Sequence, residues 1–472
     1  MLDSVGTNIR RLSPVDMGSE TLLRDDMVPL KRPGAKRQSF NPIPGWMTIC
    51  VVLCLTLIGL SACQSDSVVS NTPTEMLDTF TPTTASTPTP TAEPTPSSNN
   101  EIVIWLDWEP EEMEALQEII QSFLSDNPTV DFSLSYYPTD ELLNAFEEAS
   151  RAGAPPTILF GTSLWGPRLY EGKMILDASS MVNAELERRI HPKAWTQVAY
   201  GSHMLGLPHE FQGVVLFRNR SRKEEPPRTV ELWIDEALSQ REGDPIAIVL
   251  DMGFSFSAPQ LSICDGSFIG PQAENALELP QGICWLELMR DLRAVGPAVM
   301  NSDEDLIGFI TGESAWLIEE TSRIGELAHA IGVTNLKVDP WPLYQPADRP
   351  LQSLVWTENI YLSSGIPTKN LEVTWAFVEH IFSSEAQARL SDFQGAGHIP
   401  VDTTVEIIDS NMVEMASMLR SGVPLPLRIN LENHIKPIES AVEDVIFQGV
   451  EPAVAAQLLI DRLVQVQAAD EG

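Results

Sequence analysis

Positive charge is scarce in this 472-residue chain: 30 Lys and Arg stand against 66 Asp and Glu, a net charge of −36. A surface that acidic repels a phosphate backbone, which excludes sequence-independent binding of nucleic acid and leaves basic ligands allowed. Cysteine is also sparse, at five residues, and the seven histidines are scattered without metal-ligand spacing, so no metal site and no cofactor is expected. Nucleophile and phosphate motifs are missing. No Gly-x-Ser-x-Gly elbow or His-Glu-x-x-His occurs, Gly166 to Lys173 is one residue too long for a phosphate loop, and Gly395 and Gly397 lack the third glycine of a dinucleotide fingerprint. Tyr136 and Tyr137 read as a strand end, since ferric-iron capture needs ligands that cannot be assigned. Long apolar runs are absent except one, at residues 46–62.

Lys31, Arg32, Lys36 and Arg37 precede that run, the charge-then-apolar layout of an export signal. It ends in Leu60-Ser61-Ala62-Cys63, which resembles the lipobox of bacterial lipoproteins. The resemblance implies that residues 1–62 are a cleaved signal and that Cys63 carries the acyl chains of a membrane anchor, the alternative being an uncleaved membrane helix. In residues 64–100, ten Thr, six Ser and six Pro make 22 of 37 residues. Such a segment cannot bury a core, so residues 63–100 read as the lipidated cysteine and an extended tether. Only Cys264 and Cys284 belong to the exported body. In an oxidising compartment they read as a disulfide rather than a zinc site, the alternative being two free buried thiols.

From residue 101 the pattern is α/β. Ile102 to Leu106 is a buried-type strand; Met113, Leu116, Ile120, Phe123 and Leu124 recur at helical spacing behind Pro110; Val130, Phe132 and Leu134 alternate as a strand. A helix over 142–152 and a strand over 157–160 follow, and such alternation builds a mostly parallel sheet with ligands beyond the carboxyl ends of its strands. The loops at 107–109, 136–140 and 161–165 are therefore of interest. Downstream, strands are expected over 214–218 and 315–318, a helix over 231–240, one long helix over 373–390, and two helices about Gly449 that cover a sheet.

The collinear segments Ile102-Val-Ile-Trp, Phe123-Leu-Ser-Asp-Asn-Pro, Asp140-Glu-Leu-Leu, Ala152-Gly-Ala-Pro-Pro-Thr-Ile-Leu-Phe, Leu205-Gly-Leu-Pro, Gly213-Val-Val-Leu-Phe-Arg-Asn, Thr311-Gly-Glu-Ser-Ala-Trp-Leu-Ile, Ala376-Phe-Val, Ser384-Glu-Ala-Gln-Ala-Arg-Leu and Gly397-His-Ile-Pro resemble extracellular solute-binding proteins of ABC importers. The closest kind is the sugar-binding one that includes maltose-binding protein. The resemblance implies a two-lobed, class II periplasmic binding protein-like α/β fold, with lobe 1 at 101–212 and 343–410 and lobe 2 at 213–342 and 411–472. It further implies a monomer on the outer face of a bacterial membrane, which captures a small solute between its lobes and passes it to the transmembrane subunits of an ABC permease. Hinges are expected near Gln212 and Pro340. No catalytic residue is expected; a carbohydrate-active hydrolase, and a polyamine-binding or sensory member of the same fold, are the alternatives.

A sugar presents apolar faces and a rim of hydroxyls, so its site needs aromatic platforms and fixed polar groups. Trp108, with Glu109, lies beyond the first strand, whereas Trp105 within it reads as core. By the resemblance, Ser163 and Trp165 follow the third strand where relatives contact ligand, and Gln212, beside Glu210 and Phe211, takes the polar position before the hinge. Trp356 and Glu358 stand where the chain returns to the first lobe. Glu319 and Glu320 occupy the place where many relatives carry a ligand-stacking Trp. That departure puts a maltose-like ligand in doubt and equally suits hydroxyl-rich or cationic ligands. His398 reads as a loop residue.

Overall fold

The computed structural model describes residues 100–241, 244–270, 274–393, 395–428 and 430–470. The export signal, Cys63 and nearly all of the tether lie outside the described residues. Among those described, no helix is long and apolar enough to cross a membrane.

Strand β1 (Glu101–Leu106) buries Ile102, Ile104 and Leu106 completely, as a period-two pattern requires. Helix Pro110–Asp126 follows. Proline suits its first turn, Glu109 and Glu112 close a reciprocal cap, and Leu116, Ile119, Ile120 and Phe123 give it one buried face. Strand β2 (Asp131–Tyr136) pairs parallel with β1, then helix Thr139–Ala152 returns the chain to β3 (Ile158–Thr162), parallel on the other side of β1. Gly153, at φ +77°, ends that second helix in the left-handed conformation that only glycine adopts cheaply.

The sheet continues through a 13-residue strand, β4 (Leu207–Asn219), then β5 (Ile246–Ile248), β6 (Ser314–Glu320), β7 (Leu336–Asp339), β8 (Leu354–Leu362), β9 (Ile399–Pro400) and β10 (Val423–Pro424), in the order β2-β1-β3-β8-β4-β6-β5. Strand β4 changes partner midway. Its first half, to Gly213, is antiparallel to β8, and its second half, from Val214, is antiparallel to β6 and β7. This one strand therefore belongs to both lobes of a two-lobed α/β fold, and the crossing falls at Gly213. A Cβ there would stand 2.4 Å from the Leu354 carbonyl oxygen, so glycine lets the strands approach.

The second half carries helices Val230–Ser239 and Glu304–Thr311, with Trp233 edge-on to Trp316 at 5.8 Å. Cys264 and Cys284 are joined, Cα atoms 5.9 Å apart, which ties a 3₁₀ segment to helix Leu279–Leu292. Two expectations need correction. Residues 373–390 do not form one helix: Thr368–Ile381 ends before Ser383, whose hydroxyl accepts from the Ala386 N–H and starts a separate helix, Ser384–Leu390. The last two helices, Glu432–Ile446 and Pro452–Asp470, reverse about Gly449 but pack mainly on each other and on helix Leu279–Leu292 rather than over a sheet.

Candidate functional site

The carboxyl end of β1 and the crossing region of β4 meet at a cluster of ionisable side chains. The pairing of β4 with β8 slips between Glu358 and Asn359, which face Glu210 and Pro208, so His209 is the extra residue of a bulge. A bulge turns neighbouring side chains out of strict alternation, and His209 and Glu210 come to share one surrounding. Strand β9 then lays Ile399 opposite Phe211 and Pro400 opposite Glu210, which brings His398 alongside. One side-chain ligand atom from each of His209, Glu210 and His398 lies within 4.8 Å of the others, and all three residues are buried. His398 Nε2 is 2.8 Å from Glu112 Oε1, and His398 Nδ1 is 3.6 Å from Glu210 Oε2.

The electrostatics follow from crowding like charges at the end of a buried sheet. Burial pushes the Glu210 carboxyl up to about 7, against the pull of His398, and raises Glu358 well above its usual range with Glu210, Asp107, Glu112 and Glu320 adding repulsion. Burial, then His398, holds His209 well below the ordinary imidazole value; His398 is lowered by its own burial, but Glu210 and Glu112 outweigh that and leave it raised. Gln212 bridges the crossing. Its Nε2 donates to Glu210 Oε1 at 2.6 Å, and its Oε1 accepts from the Thr321 hydroxyl, at the end of β6, at 2.7 Å. Thr321 also accepts from the Gly213 N–H.

On the β6 side, Glu319 and Glu320 line a cavity of about 230 Å³ with Asp251, Asn301, Ser302 and Asp305. Burial raises both glutamates and pushes Asp305 up to about 7, with Asp251 and Glu319 adding to the rise at Asp305. A carboxyl whose folded pKa is raised lends stability below its unfolded value, near pH 4, and loses it as pH climbs through about 7. Asp305→Asn is therefore expected to flatten the fall in stability between pH 5 and 8 and to gain about 2 kcal/mol over the parent at pH 8. Urea unfolding at the two pH values checks this; parallel pH profiles for the two proteins would refute it.

The structure sorts the residues singled out in the sequence. Glu210, Gln212, Glu319, Glu320 and Glu358 fall in the crossing region or the adjoining cavity. Trp108 is not an open platform: it is 6% exposed, packed on Phe160, His209 and His398, because its neighbours on β3, β4 and the 398 loop close over the end of β1. Glu109 is exposed and serves as the helix cap. Ser163 is fully buried and donates to Gln197, and Trp165 lies over Gly161 in a packing cluster with Leu142, Phe146 and Tyr361. Phe211 is core, since strand alternation turns it away from Gln212. Trp356 is half-buried against Leu354, Leu425 and Leu431. Trp105 is only partly buried and stacks near Tyr137 at 4.6 Å. His398 does sit in a loop, yet its ring is buried. Asp107, Glu112, His209 and Thr321 were not picked out as site residues. The His-Glu step ahead of a strand crossing is the one local signal for His209, and nothing in sequence links it to His398.

A two-lobed α/β protein whose sheet halves share one strand, with polar groups gathered where that strand changes partner, is a ligand-binding architecture. Residues 118–417 match the family of bacterial extracellular solute-binding proteins, and the chain belongs to that family. It is 24% identical over 133 residues to the maltotriose-binding protein of Pyrococcus abyssi, a match spanning 28% of this chain and 29% of that one. The fold is similar to that of the extracellular solute-binding protein from Staphylococcus aureus in complex with maltose, at TM-score 0.65 and 18% identity over 78% of this chain and 98% of that one. It is likewise similar to Thermus thermophilus maltotriose-binding protein bound with maltotriose, at TM-score 0.63 and 16% identity over 78% and 99%.

Proposed function

We propose that this protein captures a small saccharide between its lobes, outside a bacterial cell, and delivers it to an ABC permease while Cys63 holds it to the membrane by its acyl chains. The observation that carries the reading is the crossing itself. Glu210, Gln212 and Glu358 come from one side of Gly213, and Glu319, Glu320 and Thr321 from the other, with Gln212 bonded to both Glu210 and Thr321. Lobe 1 is assigned to 101–212 and 343–410 and lobe 2 to 213–342 and 411–472. A solute that touches both sets favours the closed form by its differential contacts, and the closed surface is what a permease reads. The family match and the maltose- and maltotriose-named relatives support a sugar.

The density of carboxylates favours one second reading, a ligand that carries a positively charged amino group. Thermal unfolding of the full chain against neutral saccharides, amino sugars and polyamines separates the two, because ligand at a hundred times its dissociation constant adds about 2.7 kcal/mol to stability. Under the saccharide reading, a sugar raises the midpoint, is recovered intact, and compacts the protein in solution scattering. Gln212→Ala is expected to weaken that sugar about tenfold or more, the loss of roughly one polar hydrogen bond. Stabilisation by polyamines alone would establish the second reading, and cleaved sugar would mark a hydrolase.

A further inference from the structure

We propose that His209, Glu210 and His398 form a binding site for a divalent transition metal of the zinc class, set where the β4 bulge meets β9. The site shares Glu210 with the saccharide reading but does not rest on it, and its test uses no sugar. Three observations build it. First, His209 is 1% exposed and neither ring nitrogen has a hydrogen-bond partner, an unusual cost for a buried polar ring unless something coordinates it. Second, His398 is oriented as metal-bound histidines are: its Nε2 is held by the Glu112 carboxylate at 2.8 Å, and its Nδ1, which has no hydrogen-bond partner, faces Glu210 Oε2 at 3.6 Å. Third, the separations suit an ion. Bonds of about 2.1 Å in a tetrahedral arrangement put ligand atoms roughly 3.4 Å apart, close to the His398–Glu210 spacing. The 4.8 Å outer bound on the three-residue cluster closes to that spacing with a shift of about 1.4 Å at most.

Charge and softness agree. Glu112, Glu210 and Glu358 crowd this spot, and among the described residues no Lys or Arg forms an ion pair with any of them, so a divalent cation would relieve repulsion that the protein does not. Two imidazoles and one carboxylate suit zinc, nickel or cobalt, whereas calcium and magnesium prefer all-oxygen sets. The rings of Trp108 and Phe160, centred 5.6 and 5.2 Å from that of His209, wall the cluster from solvent. Nothing in the linear sequence announces the site, because β4 supplies two ligands and a loop far along the chain the third.

The test strips the full chain with a chelator, dialyses it against zinc chloride at pH 7.5 and counts bound zinc by elemental analysis. One tightly held ion per chain is expected. His209→Gln and His398→Gln should each weaken it at least a hundredfold, Glu112→Gln by ten- to a hundredfold, and the exposed His329→Gln not at all. Should a histidine variant misfold, cobalt absorption of the parent protein decides. Intense tetrahedral bands support the site, and only the weak bands of octahedral hydrated cobalt overturn it. Zinc stoichiometry that survives both histidine variants, or no saturable ion at all, overturns it equally.

Discussion

Asp339→Ala is expected to lower stability by about 3–5 kcal/mol, the largest effect of any single substitution considered for this molecule. Asp339 is 2% exposed and closes β7 against Leu216 of β4. Its Oδ2 accepts from Arg218 Nε at 2.7 Å and from Trp316 Nε1 at 3.0 Å, so one carboxylate ties three strands, β4, β6 and β7. Removing it takes the directly bonded counter-ion from the guanidinium of Arg218, itself 7% exposed, and leaves only the weaker field of Glu224, whose carboxylate is already paired with Arg220. The backbone carbonyls of Lys223 and Glu224 still accept from Arg218, but a dipole does not replace a charge. Replacing both partners with apolar residues of similar volume is expected to cost far less, because the penalty lies in the stranded charge rather than in the lost pair. Urea unfolding of the single and double variants checks both statements. A loss under about 1 kcal/mol for Asp339→Ala would show that the pair is solvated after all.

Gly213→Ala is expected to cost about 1–3 kcal/mol and to impair lobe closure as well. The added Cβ would fall 2.4 Å from the Leu354 carbonyl oxygen and 2.6 Å from a Leu419 methyl. A flexible side chain can yield, but the carbonyl is backbone of β8, and moving it opens the Val355–Gly213 pairing at the crossing. Strand β4 changes partner at this residue, so a displacement here tilts one half of the sheet against the other. Gly325→Ala serves as control: its Cβ would meet nothing within 4 Å, and alanine in a helix is favourable by up to about 1 kcal/mol. Solution scattering of Gly213→Ala with and without ligand should show a smaller compaction than the parent, and equal compaction would sink the hinge expected near Gln212.

Local rules read the chain well where one segment settles its own structure. Buried alternation in Ile102 to Leu106, Pro110 ahead of the helical spacing of Met113 to Leu124, and the alternation of Val130 to Leu134 sufficed to place the first strands and helix within a few residues. Local periodicity failed at 373–390, where apolar spacing runs straight through Phe382 while the Ser383 hydroxyl caps a new helix. It also took Trp108 for an open platform. Trp108 and Trp165 do follow strand ends, but which side of a strand end is open depends on what packs over it. For Trp108 that cover is Phe160, His209 and His398, from three distant stretches of chain.

What the sequence determined by itself is therefore the material: an acidic α/β body, the alternation of its first strands and helices, a cysteine pair, and a collinear pattern that resembles one family. Composition and periodicity are properties of neighbours along the chain, and these features ask for nothing more. Tertiary structure alone decided that a bulge at His209 turns it beside Glu210, and that β9 carries His398 into the same buried corner. Pairing register and a one-residue slip fix those meetings, and neither leaves a periodic trace, since the energy that sets them comes from burying whole sheets against one another rather than from any segment on its own.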